Sequence, residues 1–353
     1  TFFAFDFGFT SSSTSSSTTT ASGGGKAGKV AVLLPDSKSS VRWETQDRKY
    51  LGEAFKKAGV DATLVNAEGD KQAQITQAEQ AITNGAKTLL LVDLDPGSGA
   101  AIIKKAHAAG VKVIDYDRLT LGGGADYYVS FDNSKVGKLQ GDGLVKCLAA
   151  IKATKPVVAE LNGSPTDNNA TLFAKGYNGV LDPLYADGTY VKGPNQSVPD
   201  WDNQKALTIF EQMLQKTNNK IDGVLAANDG LANSVISALK ARKLKQLPVT
   251  GQDATSQGIQ NILAGDQCMT VYKAVRAEAA AASALAITLA KGQTPTTTAT
   301  TDNEGEKTPS VLLDPVAVTK ENINDTVIKD GFLTTDEICT GKYAALCKEN
   351  GVG

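Results

Sequence analysis

The feature that most constrains the fold is a repeated alternation of short apolar runs with amphipathic stretches, beginning at Lys29. Residues 30–34 are typical of a buried strand, and the apolar residues after them recur at helical spacing until Gly59. Strands that alternate with helices of this length form parallel sheets through right-handed crossovers. The sequence therefore predicts an α/β fold.

The alternation runs in two series, which predicts two doubly wound parallel-sheet lobes. The predicted strands are 30–34, 62–65, 88–92, 111–114 and 127–131 in the first series, and 157–161, 223–227, 249–250 and 269–272 in the second. The Ala-rich run 274–290 is a strong helix former. Residues 293–303 are rich in Thr and Pro, so we expect a connector there, before a last strand near 311–313.

Size and charge narrow the class of protein. A chain of 353 residues suits two domains of ordinary size, and 41% apolar residues are typical of globular protein. The net charge is −2 with dispersed Lys and Arg, so we expect no nucleic-acid partner. No run approaches the ~20 apolar residues of a membrane helix.

Residues 1–28 differ from the rest of the chain. An unbroken Ser/Thr tract at 11–20 leads into a Gly-rich stretch. Such a segment buries too little apolar surface to offset its chain entropy. We expect a disordered tether or a tag, outside the fold.

Four cysteines, Cys147, Cys268, Cys339 and Cys347, form no CxxC pair, and His107 is the only histidine, which argues against a zinc site. The even count fits two disulfides in an oxidising compartment. Three pairings are possible; we predict 339–347 with 147–268, against the alternative of four separate buried thiols.

Polar side chains follow nearly every predicted strand. Because ligands bind outside the carboxyl ends of strands in open α/β sheets, these residues are the candidate site. They are Arg42, Trp43, Asp117, Arg118, Asp167, Asn169, Asn228, Asp253 and Lys273, with Trp201 beside Asp200 and Asp202. Carboxylates and amides that hydrogen-bond hydroxyls, with aromatic rings for C–H faces, suit a monosaccharide.

Plainer interpretations of the same residues remain open. Asp or Asn after a strand is often a turn or N-cap residue, Trp43 can be a core residue, and Arg118 can form a surface ion pair with Asp117. No GxSxG motif, phosphate-binding loop or second histidine is present, so we expect no nucleophilic enzyme and no cofactor. An acid pair for glycoside hydrolysis is conceivable, but no spacing favours it.

Several motifs resemble one family. The chain is similar to the sugar-binding, type I periplasmic-binding-protein superfamily, and within it to the D-xylose-binding group of bacterial ABC importers. The matching stretches, in order, are 42–43 with 47–48, 116–118, 130–137, 163–170, 228–229, 251–254, 269–273 and 325–332. The stretch at 163–170, GSPTDNNA, is the most specific of them.

The resemblance implies two lobes joined by three crossovers: residues 29–130 with 274–306, and 131–273 with 307–353. It implies that the ten candidate residues contact the sugar, with Trp43 and Trp201 as ring platforms. Other implications are capture of D-xylose by hinge closure, delivery to the membrane subunits of an ABC importer, and a monomer. Glucose, ribose and arabinose remain alternatives, as does, more remotely, a sugar-responsive regulator core. The tether is similar to the start of a mature lipoprotein, which implies a periplasmic or cell-surface, membrane-anchored location.

Overall fold

The computed structural model describes residues 27–353. The predicted tether lies outside the described residues except for its last two. Ala27 packs against the core and the Gly28 N–H donates to the Ala290 carbonyl at 2.7 Å, so these two residues belong to the folded body.

The first lobe is built on a seven-stranded sheet. In sheet order the strands are β10 (Ala299–Asn303), β11 (Glu306–Leu313), β5 (Tyr127–Phe131), β4 (Lys112–Tyr116), β3 (Ala86–Leu91), β1 (Lys29–Leu34) and β2 (Ala62–Asn66). Every pair is parallel except the antiparallel edge pair β10–β11. Parallel strands need crossover helices, which cover both faces of this sheet.

The helices of the first lobe are α1 (Arg48–Ala58), α2 (Lys71–Thr83), α3 (Pro96–Ala108) and α9 (Val275–Ala290). A π-helical turn, Trp43–Asp47, leads into α1, which ends at Gly59 with φ of +64°. The sequence of strand β1 is apolar from Val30 to Leu34 because both of its faces are buried. Val30, Val32 and Leu34 pack on the α1/α9 side, whereas Ala31 and Leu33 pack on the α2/α3 side.

The second lobe has a parallel sheet of β7 (Val191–Ser197), β6 (Val157–Asn162) and β8 (Gly223–Ala226). Val249 bridges β8 and accepts from the Cys268 N–H at 2.9 Å, which links this sheet to the antiparallel pair β9 (Thr270–Tyr272) and β12 (Val316–Val318). Its helices are α4 (Asn133–Ala150), α5 (Asn168–Ala186), α6 (Asn203–Lys216), α7 (Asp229–Ala241) and α8 (Ser256–Ala264).

Three connections join the lobes, as the two-lobed fold requires. The chain crosses between β5 and α4, between β9 and α9, and between β11 and β12. Because β11 pairs with β5, residues 307–313 lie in the first sheet. The boundary predicted at 306/307 is therefore wrong by one strand.

Three strands escaped the sequence prediction for physical reasons: β7, β10, and β12, which at three residues is too short to show a pattern. Strand β7 is an edge strand whose residues are all exposed or half-buried, and it contains Gly193 and Pro194, so it lacks an apolar pattern. Strand β10 lies inside the stretch predicted as a connector, and only one of its five residues, Ala299, is apolar. Conversely, the predicted strand at 249–250 forms only a single bridge.

The C-terminal segment packs against the first lobe and against the end of β9. Gln46 of the first lobe donates from Nε2 to the Phe332 carbonyl at 3.3 Å, and the Phe332 ring lies 5.0 Å from that of Tyr272. The chain then forms α10 (Thr335–Ile338) and α11 (Tyr343–Glu349), where the Ile338 carbonyl accepts from Gln260 of α8. Within residues 27–353 no helix has the length and apolar character needed to cross a bilayer.

Both predicted disulfides are confirmed. Cys147 of α4 pairs with Cys268 just before β9, and Cys339 pairs with Cys347 in the C-terminal segment. The first bridge closes a separation of 121 residues and the second only 8.

We expect the two bridges to differ in their contribution to stability. The chain-entropy relation gives roughly 5 kcal/mol for the longer loop and roughly 2.5 kcal/mol for the shorter one. The C147S/C268S variant should therefore lose more thermal stability than C339S/C347S. Thermal unfolding of both variants under non-reducing conditions checks this order, and an equal or reversed loss would contradict it.

Candidate ligand-binding site

All ten residues predicted from the sequence lie around one cleft between the lobes, in a space of about 310 Å³. They are Arg42, Trp43, Asp117, Arg118, Asp167, Asn169, Trp201, Asn228, Asp253 and Lys273. The carboxyl ends of both parallel sheets meet here, as the topology requires.

Arg42 is the most heavily bonded residue of the site. Its Nε and Nη2 donate to the two carboxylate oxygens of Asp47 at 2.8 and 2.7 Å, and Nη2 also donates to Glu278 at 2.5 Å. Nη1 donates to Asp117 at 2.8 Å. A guanidinium has five N–H groups. Four of them are occupied in this way, so one Nη1 hydrogen remains for a ligand.

Asp117 lies at the centre of the charges. Its Oδ2 accepts from Arg42 and, at 3.3 Å, from Lys273, while Oδ1 accepts from Asn169 at 3.0 Å. Burial alone would raise the pKa of this carboxyl, but the charges of Lys273, Arg42 and Arg118 outweigh it and lower the pKa below its usual value. Asp117 is therefore a carboxylate at any physiological pH.

The backbone of Asp117 is held in an unusual conformation. Its φ is +63°, in the left-handed region that side-chain-bearing residues rarely adopt. Its N–H donates to the Val129 carbonyl at 2.8 Å, and its own carbonyl accepts from Ser130, Tyr128 and Asn169. Such strained residues persist where the surroundings over-determine them, which is common at ligand sites.

The lobes touch directly across the cleft, so the conformation is closed. Arg118 of the first lobe lies 3.1 Å from Asp167 of the second. Ser40 of the first lobe donates to Asp253 at 3.0 Å, and Asn228 donates to the Ser39 carbonyl at 3.4 Å.

Two site residues, Asp167 and Asn228, are at once helix-capping residues and residues of the cleft lining. Asp167 caps α5 by accepting from the Asn169 N–H, and its other oxygen accepts from Trp201 Nε1 at 3.0 Å. Asn228 caps α7 by accepting from the Leu231 N–H, which leaves its amide nitrogen toward the cleft. Helix capping therefore fixes these side chains without using all of their polar atoms.

Aromatic rings supply the apolar part of the lining. Trp43 lies on the first lobe with the Arg42 guanidinium 4.6 Å from its ring centre, and it is also part of the core. On the second lobe Trp201 packs edge-to-face with Phe173 at 6.3 Å. The Trp201 ring occupies the space that a side chain at Gly163 would need, so only glycine fits there.

Four lining residues were missed by the sequence prediction: Ser39, Ser40, Phe173 and Gln252. Phe173 lies four residues after Asn169 on α5, so helical spacing places both on one face, and this signal was available. Gln252 directly precedes Asp253. Its Oε1 is buried and accepts no hydrogen bond from residues 27–353, which leaves an acceptor at the cleft.

Asp253 resembles Asp117 in backbone but not in charge environment. Its φ is +99°. Burial raises the pKa of its carboxyl, and the charges of Lys273 and Arg42 oppose this only in part. Ser40 is its hydrogen-bond donor among the described side chains, so the carboxyl retains acceptor capacity.

No group of His, Cys, Asp and Glu within 27–353 is arranged to hold a metal ion.

This architecture, two α/β lobes closed on a cleft of hydroxyl-complementary groups, defines the class of two-lobed binding proteins for small solutes. Residues 30–294 match the family described as periplasmic binding protein domain. The chain belongs to that family.

Relatives and solved structures agree over most of the chain. It is 38% identical over 298 residues to the D-xylose-binding periplasmic protein of Haemophilus influenzae, covering 84% of this chain and 88% of the relative. The Escherichia coli protein of the same description is 36% identical, with 89% and 93% covered. The carbohydrate transporter solute binding protein from Chloroflexus aurantiacus, solved with D-glucose, is 31% identical with a TM-score of 0.80, covering 87% and 97%.

Glu278 gives a pH-dependent prediction. It lies under Arg42, fully buried, and burial raises its pKa to about 8, with Arg42 opposing and Asp117 reinforcing the rise. The native state therefore holds this proton more tightly than the unfolded chain, and the contribution of Glu278 to stability falls as pH rises toward 8.

In E278Q that proton equilibrium is absent. We expect the stability difference between E278Q and wild type to shift in favour of E278Q by up to about 1.4 kcal/mol per pH unit between pH 5 and 8. Denaturant unfolding of both proteins across this range measures it. If the free energy of unfolding of the two proteins changed in parallel with pH, the raised pKa of Glu278 would be contradicted.

Proposed function

We propose that this protein is an extracytoplasmic solute-binding protein that captures one monosaccharide, D-xylose, and delivers it to the membrane subunits of an ABC importer. One observation carries the proposal: ten charged, amide and aromatic residues from both lobes converge on one cleft. The D-xylose-binding relatives, 36–38% identical, support the choice of sugar.

The polar groups suit a ring of hydroxyls. Arg42 offers its remaining N–H, and Arg118 and Lys273 offer further donors, while Asp253 and the free Gln252 oxygen offer acceptors. Hydrogen bonds to charged partners are roughly twice as strong as neutral ones. A pentose has about ten non-hydrogen atoms, so micromolar affinity, roughly −8 kcal/mol, lies within the ligand-efficiency ceiling.

Capture follows from the division of these groups between the lobes. The first lobe contributes Arg42 and Asp117, and the second contributes Asp167 and Asp253. Only the closed form brings both sets to one sugar, so the sugar shifts the population toward closure by its differential affinity. The importer then distinguishes the loaded protein by its closed shape.

Glucose is the second candidate. The Chloroflexus aurantiacus structure similar to this chain contains D-glucose. Glucose differs from xylose by one hydroxymethyl group, and a pocket discriminates such a difference by only ~1–3 kcal/mol. We assign xylose first because two relatives with that description cover more than four fifths of the chain.

The proposal also covers where the protein is located, how it is anchored to the membrane and what happens to the sugar. The family and the two disulfides fit an oxidising compartment outside the cytoplasm. The Ser/Thr-rich segment at 11–20 would serve as a spacer between a lipid anchor and the folded body. We assign no catalytic step to the cleft and expect the sugar to be released unchanged.

Calorimetric titration tests the ligand. We expect micromolar binding of D-xylose, with glucose the nearest competitor among glucose, ribose and arabinose. D253A should weaken xylose binding about 10- to 100-fold, because a charged-group hydrogen bond contributes ~1.5–3 kcal/mol. The matched control is D182A, an exposed surface aspartate far along α5, which should bind like wild type. Tight ribose binding without a xylose signal would reject the assignment.

Small-angle scattering tests the mechanism. We expect xylose to reduce the radius of gyration, because the open form closes on the sugar, and the recovered sugar to be chemically intact after prolonged incubation. A D117N variant should not close, since it leaves Arg42 and Lys273 without their shared carboxylate. A scattering profile that xylose leaves unchanged, or a modified sugar, would contradict hinge capture.

A further inference from the structure

A second space adjoins the candidate site. It shares four lining residues with the first: Ser39, Arg118, Asp167 and Trp201. Loops after β1 and β2 line it on one lobe and loops after β6 and β7 on the other. Strands β2 and β7 are the edge strands on the far side of their sheets from the three connections, so this space is the outer mouth of the cleft.

We propose that this space is a second sugar subsite, which accepts a neutral sugar unit linked to the pentose in the first. The inference rests on the proposed function, since it needs a pentose in the inner cleft. The ring edge that faces Arg118, Asp167 and Trp201 is then the edge that carries the linkage, because those residues form the boundary between the two spaces.

A buried acceptor faces this space. Asp36 is 8% exposed and lines the outer space but not the inner one. Its Oδ1 accepts from the N–H groups of Lys38 and Ser39, whereas no donor among residues 27–353 reaches its Oδ2. This oxygen is not one of the fully buried side-chain atoms that lack a partner, so it is open to the outer space and can accept a hydrogen bond from a ligand there. A sugar hydroxyl is a suitable donor.

The charges of the lining favour a neutral unit over an acidic one. Five carboxylates line the space against three cationic side chains. Two of those cations are already paired, Arg118 with Asp167 and Lys71 with Asp95, and the carboxylate of Asp200 is paired with Lys205 outside the lining. The excess of acceptors attracts hydroxyl donors and repels a substituent such as a uronic acid. The hydroxyls of Ser164 and Thr166 add neutral partners.

The cleft has another opening, on the hinge side, which supplies a control. That space is lined by Asp253 and Arg42 together with the apolar Phe332 and Leu333. Thr45 lines it as an exposed residue, as Thr166 lines the outer mouth. Each threonine hydroxyl makes one local hydrogen bond, so replacing either removes a similar interaction.

The test is calorimetric titration of wild type, T166W and T45W with D-xylose, with 1,2-, 1,3- and 1,4-linked xylobiose, and with glucuronyl-xylose. We expect at least one xylobiose to bind wild type within tenfold of xylose and glucuronyl-xylose to bind at least tenfold more weakly than that xylobiose. T166W should weaken the xylobiose at least tenfold and change xylose less than twofold. T45W should leave both unchanged.

The outcomes separate the two proposals. Xylose binding without binding of any xylobiose would overturn the subsite and leave the proposed function standing. Equal loss of xylobiose binding in T166W and T45W would also overturn it, since the outer mouth would then have no special role. A protein that binds neither xylose nor a xylobiose would reject both, and retained xylose binding in each variant shows that the variants fold.

Discussion

The burial of Arg42 among the acidic side chains of Asp47, Asp117 and Glu278 is the constraint on which the rest of the site depends. Its side chain is 4% exposed, and those of Asp47 and Glu278 are fully buried. Charges this deep are tolerated only when each is paired with good geometry, because desolvation of a single ion costs several kcal/mol. The pairing fixes the position of the guanidinium, so the direction of its one remaining N–H is set by the protein.

The network also ties the site to both lobes and the connections between them. Arg42 and Asp47 come from the turn before α1, Glu278 from α9 and Lys273 from the end of β9. Asp117 joins them, and its backbone carbonyl accepts from Asn169 of the second lobe. Movement of one lobe therefore changes the hydrogen bonds of a buried carboxylate, which couples the ligand to the hinge.

Much of this could be predicted from the sequence. The buried strands of both sheets are apolar on each face, so their pattern is strong, and the polar residues that follow them converge because parallel strands end at one edge. Edge strands β7 and β10 could not be found in this way, since one is exposed along its whole length and the other is mostly polar. Phe173 was readable from its spacing to Asn169, but Gln252 becomes significant only when its unsatisfied oxygen is located. The left-handed backbone of Asp117 and Asp253 has no sequence signal, because tertiary hydrogen bonds impose it.

The bridge between Cys147 and Cys268 has a mechanical consequence. It joins α4, which follows the first connection, to the segment before β9, which leads into the second, so the second-lobe ends of both connections are covalently tied. When a solute draws the lobes together, both connections therefore turn with the second lobe as one unit, and the surfaces that the two lobes present to a docking partner change together.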